Sequence, residues 1–329
     1  LWLLDRPVRV TRTDESQEAT KVAEHINYYD GSDELCQLSN GNLTKTEHWV
    51  EGETYITGIR NQYDSWGNLT HIYDPLYVED ESKHYREIVY DDTYHTFAEE
   101  ENIYVDANTI LTLSATYDVG FGTVTSSTDY NGHTTSYGYD IFGRLRSITK
   151  PLDELSTLEF DYVLGHELTD GSIVNYIETR QRESAEGGTV NSRKYFDGLG
   201  RHIMTRSEGE HSEQIVVSDT VQFNARQTPY KKYLPYFETG EEVSLDFVAP
   251  SFSQYYTEHY YDAVGREIKM LQPDGTFSET RYEPLKRTVK DEEQTKTEGT
   301  HTGAAMVYEE DGLQDDDGKG RLRRVTEVF

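Results

Sequence analysis

The chain has 329 residues, and 31 Lys and Arg against 61 Asp and Glu leave a formal net charge of −30. A surface this acidic repels phosphate backbones and anionic headgroups, which argues against nucleic acid and membrane insertion. Leu, Ile, Val and Phe account for only 70 residues, but 26 tyrosines supply large rings with a strand preference and a polar tip. The expectation is an ordered, tyrosine-rich β protein with a thin apolar interior. A single cysteine, Cys36, leaves no disulfide framework within the chain and no cysteine zinc site. No stretch approaches the 18 apolar residues of a spanning helix.

The opening, Leu1-Trp2-Leu3-Leu4-Asp5-Arg6-Pro7, has neither an initiator Met nor a signal-peptide core. It reads as the start of a piece cut from something longer, with any export signal outside it. Val22, Glu24, Ile26 and Tyr28 alternate, predicting a strand that runs into Tyr28-Tyr29-Asp30-Gly31. Then a phrase begins to recur: aromatic, Asp, two variable residues, Gly, usually Arg. It reads Tyr63-Asp64-Ser65-Trp66-Gly67-Asn68, with Asn in the Arg place. Residues 79–101 hold nine acids against Lys83 and Arg86, a run expected to be a solvated face.

Tyr117-Asp118-Val119-Gly120-Phe121-Gly122 is a variant with one extra residue, followed by Thr123 in place of Arg. Thr135, Tyr137 and Tyr139 alternate into Tyr139-Asp140-Ile141-Phe142-Gly143-Arg144, and Leu145 to Thr149 reads as the return strand. Phe196-Asp197-Gly198-Leu199-Gly200-Arg201 and Tyr261-Asp262-Ala263-Val264-Gly265-Arg266 follow, with a degenerate Asp317-Gly318-Lys319-Gly320-Arg321 near the end. Asn131-Gly132 and Pro273-Asp274-Gly275 mark second turns. The polar stretch 290–318, with six acids between Glu309 and Asp317, is expected to be a mobile loop.

The phrase has a physical reading. Asp accepts from backbone N–H groups two residues on, and Gly supplies positive φ without a Cβ penalty. Each unit is therefore strand, Asp/Gly turn, strand, turn. The expected turn positions are Tyr63, Asp64 and Gly67; Tyr117, Asp118 and Gly122; Tyr139, Asp140, Gly143 and Arg144; Phe196, Asp197, Gly200 and Arg201; Tyr261, Asp262, Gly265 and Arg266; and Asp317, Gly320 and Arg321. Tyr and Arg at these places can stack on the neighbouring hairpin or pair with the turn Asp. The Asp residues lie 54, 22, 57, 65 and 55 apart, which reads as a decorated array with insertions.

This set resembles the YD repeat of Rhs proteins, teneurins and insecticidal Tc toxins. The narrower resemblance is to the middle region of the Tc toxin B component, shared with Salmonella virulence plasmid B-like proteins. It rests on Arg6 to Val10, Tyr117 to Pro151, Asp197 to Arg201, Val221 to Arg226, Lys232 to Phe237, and Tyr261 to Gly275. The resemblance implies an all-β fold, a spiral array of antiparallel β-hairpins, with residues 1–329 forming one segment of a hollow shell. It implies a non-catalytic role in enclosing and delivering a cytotoxic cargo. The implied partners are the remaining shell of the same protein, a C-type Rhs toxin component and, through parts outside this chain, a pore-forming A component. The implied setting is a secreted bacterial toxin complex.

Taken without the resemblance, the chain is chemically quiet. It has no His-Glu-x-x-His, no P-loop, no Gly-x-Ser-x-Gly elbow, and no match to the aspartyl self-cleavage motif of C components. A calcium loop ending its sixth place at Gly318 would start at Leu313 and finish at Arg324, where oxygen ligands are required. No cofactor or metal is expected. Two other functions stay open at this point: a teneurin-like or wall-associated adhesion module binding glycan or receptor, and an acidic glycosidase. Acids are so abundant that no particular carboxylate pair stands out for the latter.

Overall fold

The computed structural model describes residues 5–14, 20–77, 83–168, 171–184, 187–251, 253–310 and 322–328. Among these residues the fold is all-β, with strands throughout and one four-residue helical turn. None of the described helices is long and apolar enough to cross a membrane. The chain divides into two compact units, Leu1–Thr157 and Leu158–Phe329, where the sequence reads as one segment.

The first unit is an uninterrupted meander. Its strands are β1 (Arg9–Thr13), β2 (Lys21–Tyr29), β3 (Leu43–Glu51), β4 (Thr54–Tyr63), β5 (Leu69–Tyr73), β6 (Tyr85–Tyr90), β7 (Ala98–Asp106), β8 (Thr109–Asp118), β9 (Thr123–Thr128), β10 (Thr134–Tyr139) and β11 (Leu145–Thr149). Each pairs antiparallel with the next. In such a ribbon alternate turns fall at the same end. The alternation read at Val22 to Tyr28 is β2, and its buried residues are as polar as they are apolar: Glu24, Ile26, Asn27 and Tyr29. Asn27 Nδ2 and Tyr29 Oη both donate to the Pro7 carbonyl, at 2.7 and 3.0 Å. Glu24 accepts from Thr11 Oγ1 at 2.6 Å and from the Tyr55 hydroxyl, and these two donors hold its carboxyl down to about 2. Polar groups enter this interior because each finds a partner.

The second unit contains β12 (Leu158–Glu167), β13 (Ile173–Ser184), β14 (Gly187–Phe196), β15 (His202–Glu208), β16 (Gln214–Ser218), β17 (Val221–Phe223), β18 (Pro229–Tyr233), β19 (Tyr236–Thr239), β20 (Tyr256–Tyr261), β21 (Glu267–Leu271), β22 (Phe277–Glu283), β23 (Lys286–Lys290), β24 (Ala305–Glu310) and β25 (Leu322–Val328). Strands β12 to β16 pair in order and β19 closes on β16. Strands β17 and β18 pair, β18 continues to β20, and the ladder then runs in order to β25.

The main apolar cluster lies here: Val174, Tyr176, Tyr195, Met204, Ile215 and Val217 on β13 to β16. What covers it is a strap of chain after β19. Val243, Leu245 and Phe247, at every second position, pack on the cluster. The Tyr195 hydroxyl donates to the Leu245 carbonyl at 2.6 Å, and burial pushes that phenol up. Arg193 reaches Glu178 and Asp246, each at 2.7 Å. Arg206, only 1% exposed, donates to Glu238 at 2.5 Å and to the Ser244 carbonyl at 2.9 Å.

The loop expected over 290–318 is corrected where the structure describes it. Residues Glu292–Thr295 form a helical turn (α1), and β24 occupies Ala305–Glu310. The cause is a capping box: the Asp291 side chain accepts from the Gln294 N–H, and the Gln294 side chain accepts from the Asp291 N–H. Residues 311–318 lie outside the described residues.

The Arg206–Glu238 pair yields a stability prediction. Glu238→Ala leaves a buried guanidinium without its counter-charge and should cost about 3 kcal/mol, whereas Arg206→Met should cost less. Urea unfolding of the two variants checks the ranking.

Candidate functional site

The repeated phrase builds one local structure. At Asp140, the backbone N–H donates to the Arg144 carbonyl at 2.9 Å and the Gly143 N–H returns to the Asp140 carbonyl at 3.0 Å. Oδ1 accepts from the Phe142 and Arg144 N–H groups at 2.9 and 3.0 Å, and Oδ2 accepts from Arg144 Nε at 2.7 Å. Asp197 with Leu199 and Arg201, and Asp262 with Val264 and Arg266, repeat the arrangement within about 0.1 Å at each side-chain bond. Gly143, Gly200 and Gly265 hold φ of 74°, 76° and 86°. At Asp118 the extra residue changes the turn: Oδ1 takes Gly120 and Phe121 N–H groups, and Gly122 closes onto the Asp118 carbonyl at 2.8 Å. Asp317, Gly320 and Arg321 lie outside the described residues.

The aromatic residue of the phrase is the last residue of its strand, or at Tyr117 the last but one, and the ladder shifts register immediately before it or at it. This holds at Tyr63, Tyr117, Tyr139, Phe196 and Tyr261. The bulge re-aims the ring. Its hydroxyl then donates to a carbonyl at the start of the neighbouring strand: Tyr63 to Leu43 at 3.0 Å, Tyr117 to Ala98 at 2.8 Å, Tyr139 to Val124 at 2.7 Å, Tyr261 to Pro229 at 2.7 Å. Phe196 has no hydroxyl to do this.

Three further copies escape the phrase. Tyr29-Asp30 carries the register shift, and Asp30 accepts four N–H groups from Ser39 to Asn42. Tyr90-Asp91 carries it too, and buried Asp91 accepts from Thr93, Tyr94, Thr96 and Phe97, with His95 at φ 51° where glycine is expected. Asp91 is thus an exception within the run 79–101, where Asp92, Glu99 and Glu100 are exposed as a solvated face requires. Phe223-Asn224 is the third: Asn224 Oδ1 accepts from the Arg226 and Thr228 N–H groups, and Gln227 takes the positive φ, 65°. Asp91 splits the 54-residue interval into two of 27, so the array is less decorated than it reads. The signal was present as the aromatic-Asp or aromatic-Asn pair alone.

Three pairs of successive turns are bonded to one another: those at Asp64 and Asp91, Asp197 and Asn224, and Asn224 and Asp262. Trp66 stacks on His95 with centroids 3.5 Å apart, and Asn68 Nδ2 donates to Asp64 Oδ2 at 2.9 Å and to the His95 carbonyl at 2.6 Å. Asn therefore performs both duties of the Arg it replaces. Arg201 lies 3.9 Å over Phe223 and donates to the Gln227 carbonyl at 3.2 Å; Arg226 donates to the Asp262 carbonyl at 3.0 Å; Arg266 lies 4.2 Å over Tyr282.

These carboxylates are poised to stay ionised. Partial burial opposes ionisation of Asp64, Asp140, Asp197 and Asp262, but N–H donors, with Arg in the last three, outweigh it and hold them below the usual range. At Asp30 four N–H donors outweigh burial and bring the carboxyl down to about 2. A carboxylate held this way is a poor proton donor near neutral pH. A hydrogen-bonded chain of Thr257 Oγ1, His259 and Glu267 at 2.9 and 2.8 Å has the outline of a nucleophile–base arrangement. Thr257 is locked in the ladder opposite Lys232, and its hydroxyl also reaches the Lys232 carbonyl. Among the described residues no group of three or more His, Cys, Asp or Glu could hold a metal ion.

Residues 117–154 match the RHS Repeat family, and residues 173–303 match a domain of unknown function, DUF6443. No curated protein matches the sequence significantly. Among solved structures, TcdB2-TccC3 is similar over 95% of this chain and 19% of its own, with 15% identity and a TM-score of 0.65. TcdB2-TccC3-Cdc42 gives 94%, 21%, 14% and 0.66, and a Tc holotoxin pore from Photorhabdus luminescens gives 95%, 21%, 14% and 0.65. The chain thus spans about a fifth of the chains it resembles. It carries an RHS repeat and has their all-β fold.

Two predictions follow from the turn geometry. A Cβ at Gly143 would sit 2.7 Å from Phe121 Cδ1 at a φ that β-branched residues avoid, so Gly143→Val should cost roughly 1–3 kcal/mol, read from urea midpoints. Asp30 has its carboxyl depressed on folding, so its contribution is full above the unfolded value and is lost as pH falls through the folded one. Asp30→Asn should therefore destabilise most near neutral pH, and its deficit against the unmodified chain should shrink below about pH 4 and be smallest below about pH 2.

Proposed function

We propose that this chain is a wall segment of a Tc/Rhs-type toxin shell, with a structural role in enclosing and helping to deliver a cytotoxic cargo. The observation that carries this reading is the repeated turn itself. Aromatic-Asp or aromatic-Asn turns recur along both units, 27 residues apart at 64, 91 and 118 and again at 197 and 224. Each uses its side-chain oxygen to hold backbone, and several are bonded directly to the next turn. Such a device extends a sheet hairpin by hairpin and builds surface, with a small apolar interior in the first unit and a strapped one in the second. A wall with water on both faces needs few aliphatic side chains, and tyrosine suits it because ring and hydroxyl satisfy opposite demands.

The RHS repeat and the likeness of fold to TcdB2-TccC3 and to the Tc holotoxin pore support the same reading. On it, the partners are further shell from the same protein and a C-type Rhs component, with a pore-forming A component engaged through other parts. The setting is an extracellular bacterial toxin complex.

The test is protection of cargo. The full protein containing this segment, purified with a C-type partner, should shield the partner's C-terminal region from proteinase K until denaturant opens the assembly. Cleavage at the rate of the free C-terminal region would refute the proposal.

A further inference from the structure

Strands β2 and β3 bring two histidines together. His25 and His48 are directly opposed in the ladder, which sets their Cβ atoms about 4.5–5.5 Å apart on one face. Their ring centroids are 6.4 Å apart, with the planes at 55°. Among the described residues they are the only two histidines with rings in contact, and neither shares a hydrogen bond or ion pair with another residue. His71, His84, His133, His202 and His259 each have such a partner. The His48 ring is placed by a missing side chain. Gly58 on β4 is buried, and a Cβ there would stand 2.6 Å from both Cδ2 and Nε2 of His48 and 2.8 Å from Thr46 Oγ1. Glycine inside a strand weakens it and marks a close approach; here the imidazole is what approaches. Strand β4 flanks β3 on the side away from β2. The ring edge carrying Cδ2 and Nε2 therefore lies over β4, and the edge carrying Nδ1 is turned toward β2 and His25.

The two rings are the middle of a row, Val10, His25, His48 and Ile56, that crosses β1 to β4. The row holds no carboxylate to tie up an imidazole and no cationic side chain to repel an ion. His25 is half-buried and His48 exposed, so solvent reaches the pair. A net charge of −30 gathers cations about the chain. We infer that His25 and His48 form a two-histidine site for a borderline divalent cation, Cu2+ bound most tightly and Ni2+ and Zn2+ less so. Neutral imidazole is a ligand for these ions, whereas Mg2+ and Ca2+ take oxygen. Bonds of about 2.0–2.1 Å to one nitrogen of each ring draw the rings together by side-chain rotation. Water fills the remaining positions, so the site is an open chelate and needs no third protein ligand. An ion held there clamps β2 to β3 beside the place where β3 and β4 lose register. The inference does not depend on enclosure of a cargo.

Isothermal titration of the chelator-treated protein with NiCl2 tests it, in a Cys36→Ser background that removes the exposed thiol as a competing ligand. His25→Ala and His48→Ala should each weaken Ni2+ binding at least about tenfold, with far-UV circular dichroism unchanged. His133→Ala, whose ring faces Asp129, should leave binding as it was. Gly58→Ala keeps both histidines but displaces the His48 ring, and binding should weaken there as well. Where that variant or His48→Ala disturbs the ladder, His25→Gln decides: Ni2+ should raise the melting midpoint of the unmodified protein and leave that of His25→Gln unchanged. Absence of Ni2+ binding at millimolar concentration, or binding as tight in either histidine variant as in the unmodified protein, would overturn the inference. Full affinity in a folded Gly58→Ala variant would overturn the role given to that glycine.

Discussion

The structure depends on one arrangement: a carboxylate that gathers the N–H groups of a tight turn while the ring before it reaches back to the neighbouring strand. A hairpin turn leaves backbone donors pointing inward with nothing to bond, and an unmet donor costs about 1–3 kcal/mol. Asp140 answers two of them with one oxygen and holds Arg144 with the other. Tyr139 ties the same turn sideways to Val124. Local closure and lateral attachment are thereby coupled, so a turn that forms is also fixed against the strand that precedes it in the ladder.

That coupling explains why so little aliphatic interior is needed in the first unit. In β2 the buried set includes Glu24 and Asn27, each bonded, beside Ile26 and Tyr29. Lateral hydrogen bonds and ring contacts such as Tyr85 on Tyr104, 4.1 Å apart, do work that a packed core does elsewhere. The second unit takes another route. Its strap lays Val243, Leu245 and Phe247 on an apolar sheet face and is held by Arg193, Tyr195 and Arg206. Both units carry the same turn, so the turn is independent of how each interior is filled.

Legibility followed the chemistry of single positions. Asp with Gly three residues on, flanked by alternating residues, was readable because positive φ and side-chain acceptance are local properties. The strand at Val22 to Tyr28 was readable for the same reason. The copy at Asp91 was hidden because His95 adopts the left-handed conformation without being glycine, and because its acid sat inside an acidic run. The strap was hidden because nothing local marks residues 243–247; only the buried face of β13 to β16 gives them a place. The capping box at Asp291 and Gln294 was local and readable, and the surrounding acids masked it.

The exchange of Arg for Asn at position 68 shows what the fifth residue of the turn is for. Where Arg stands, it binds the turn Asp with Nε, and at Arg201 the guanidinium also reaches the next turn's carbonyl and ring. At Asn68 the stacking is supplied by Trp66 and His95, so a shorter side chain suffices for the two hydrogen bonds. Trp66 and Asn68 in one turn and His95 in the next together make the link between the two hairpins. The bond from turn to turn at 64 and 91 and that at 197 and 224 are thus made by different residues. A sequence search that scores the phrase alone loses copies for this reason, whereas the geometry finds them at once.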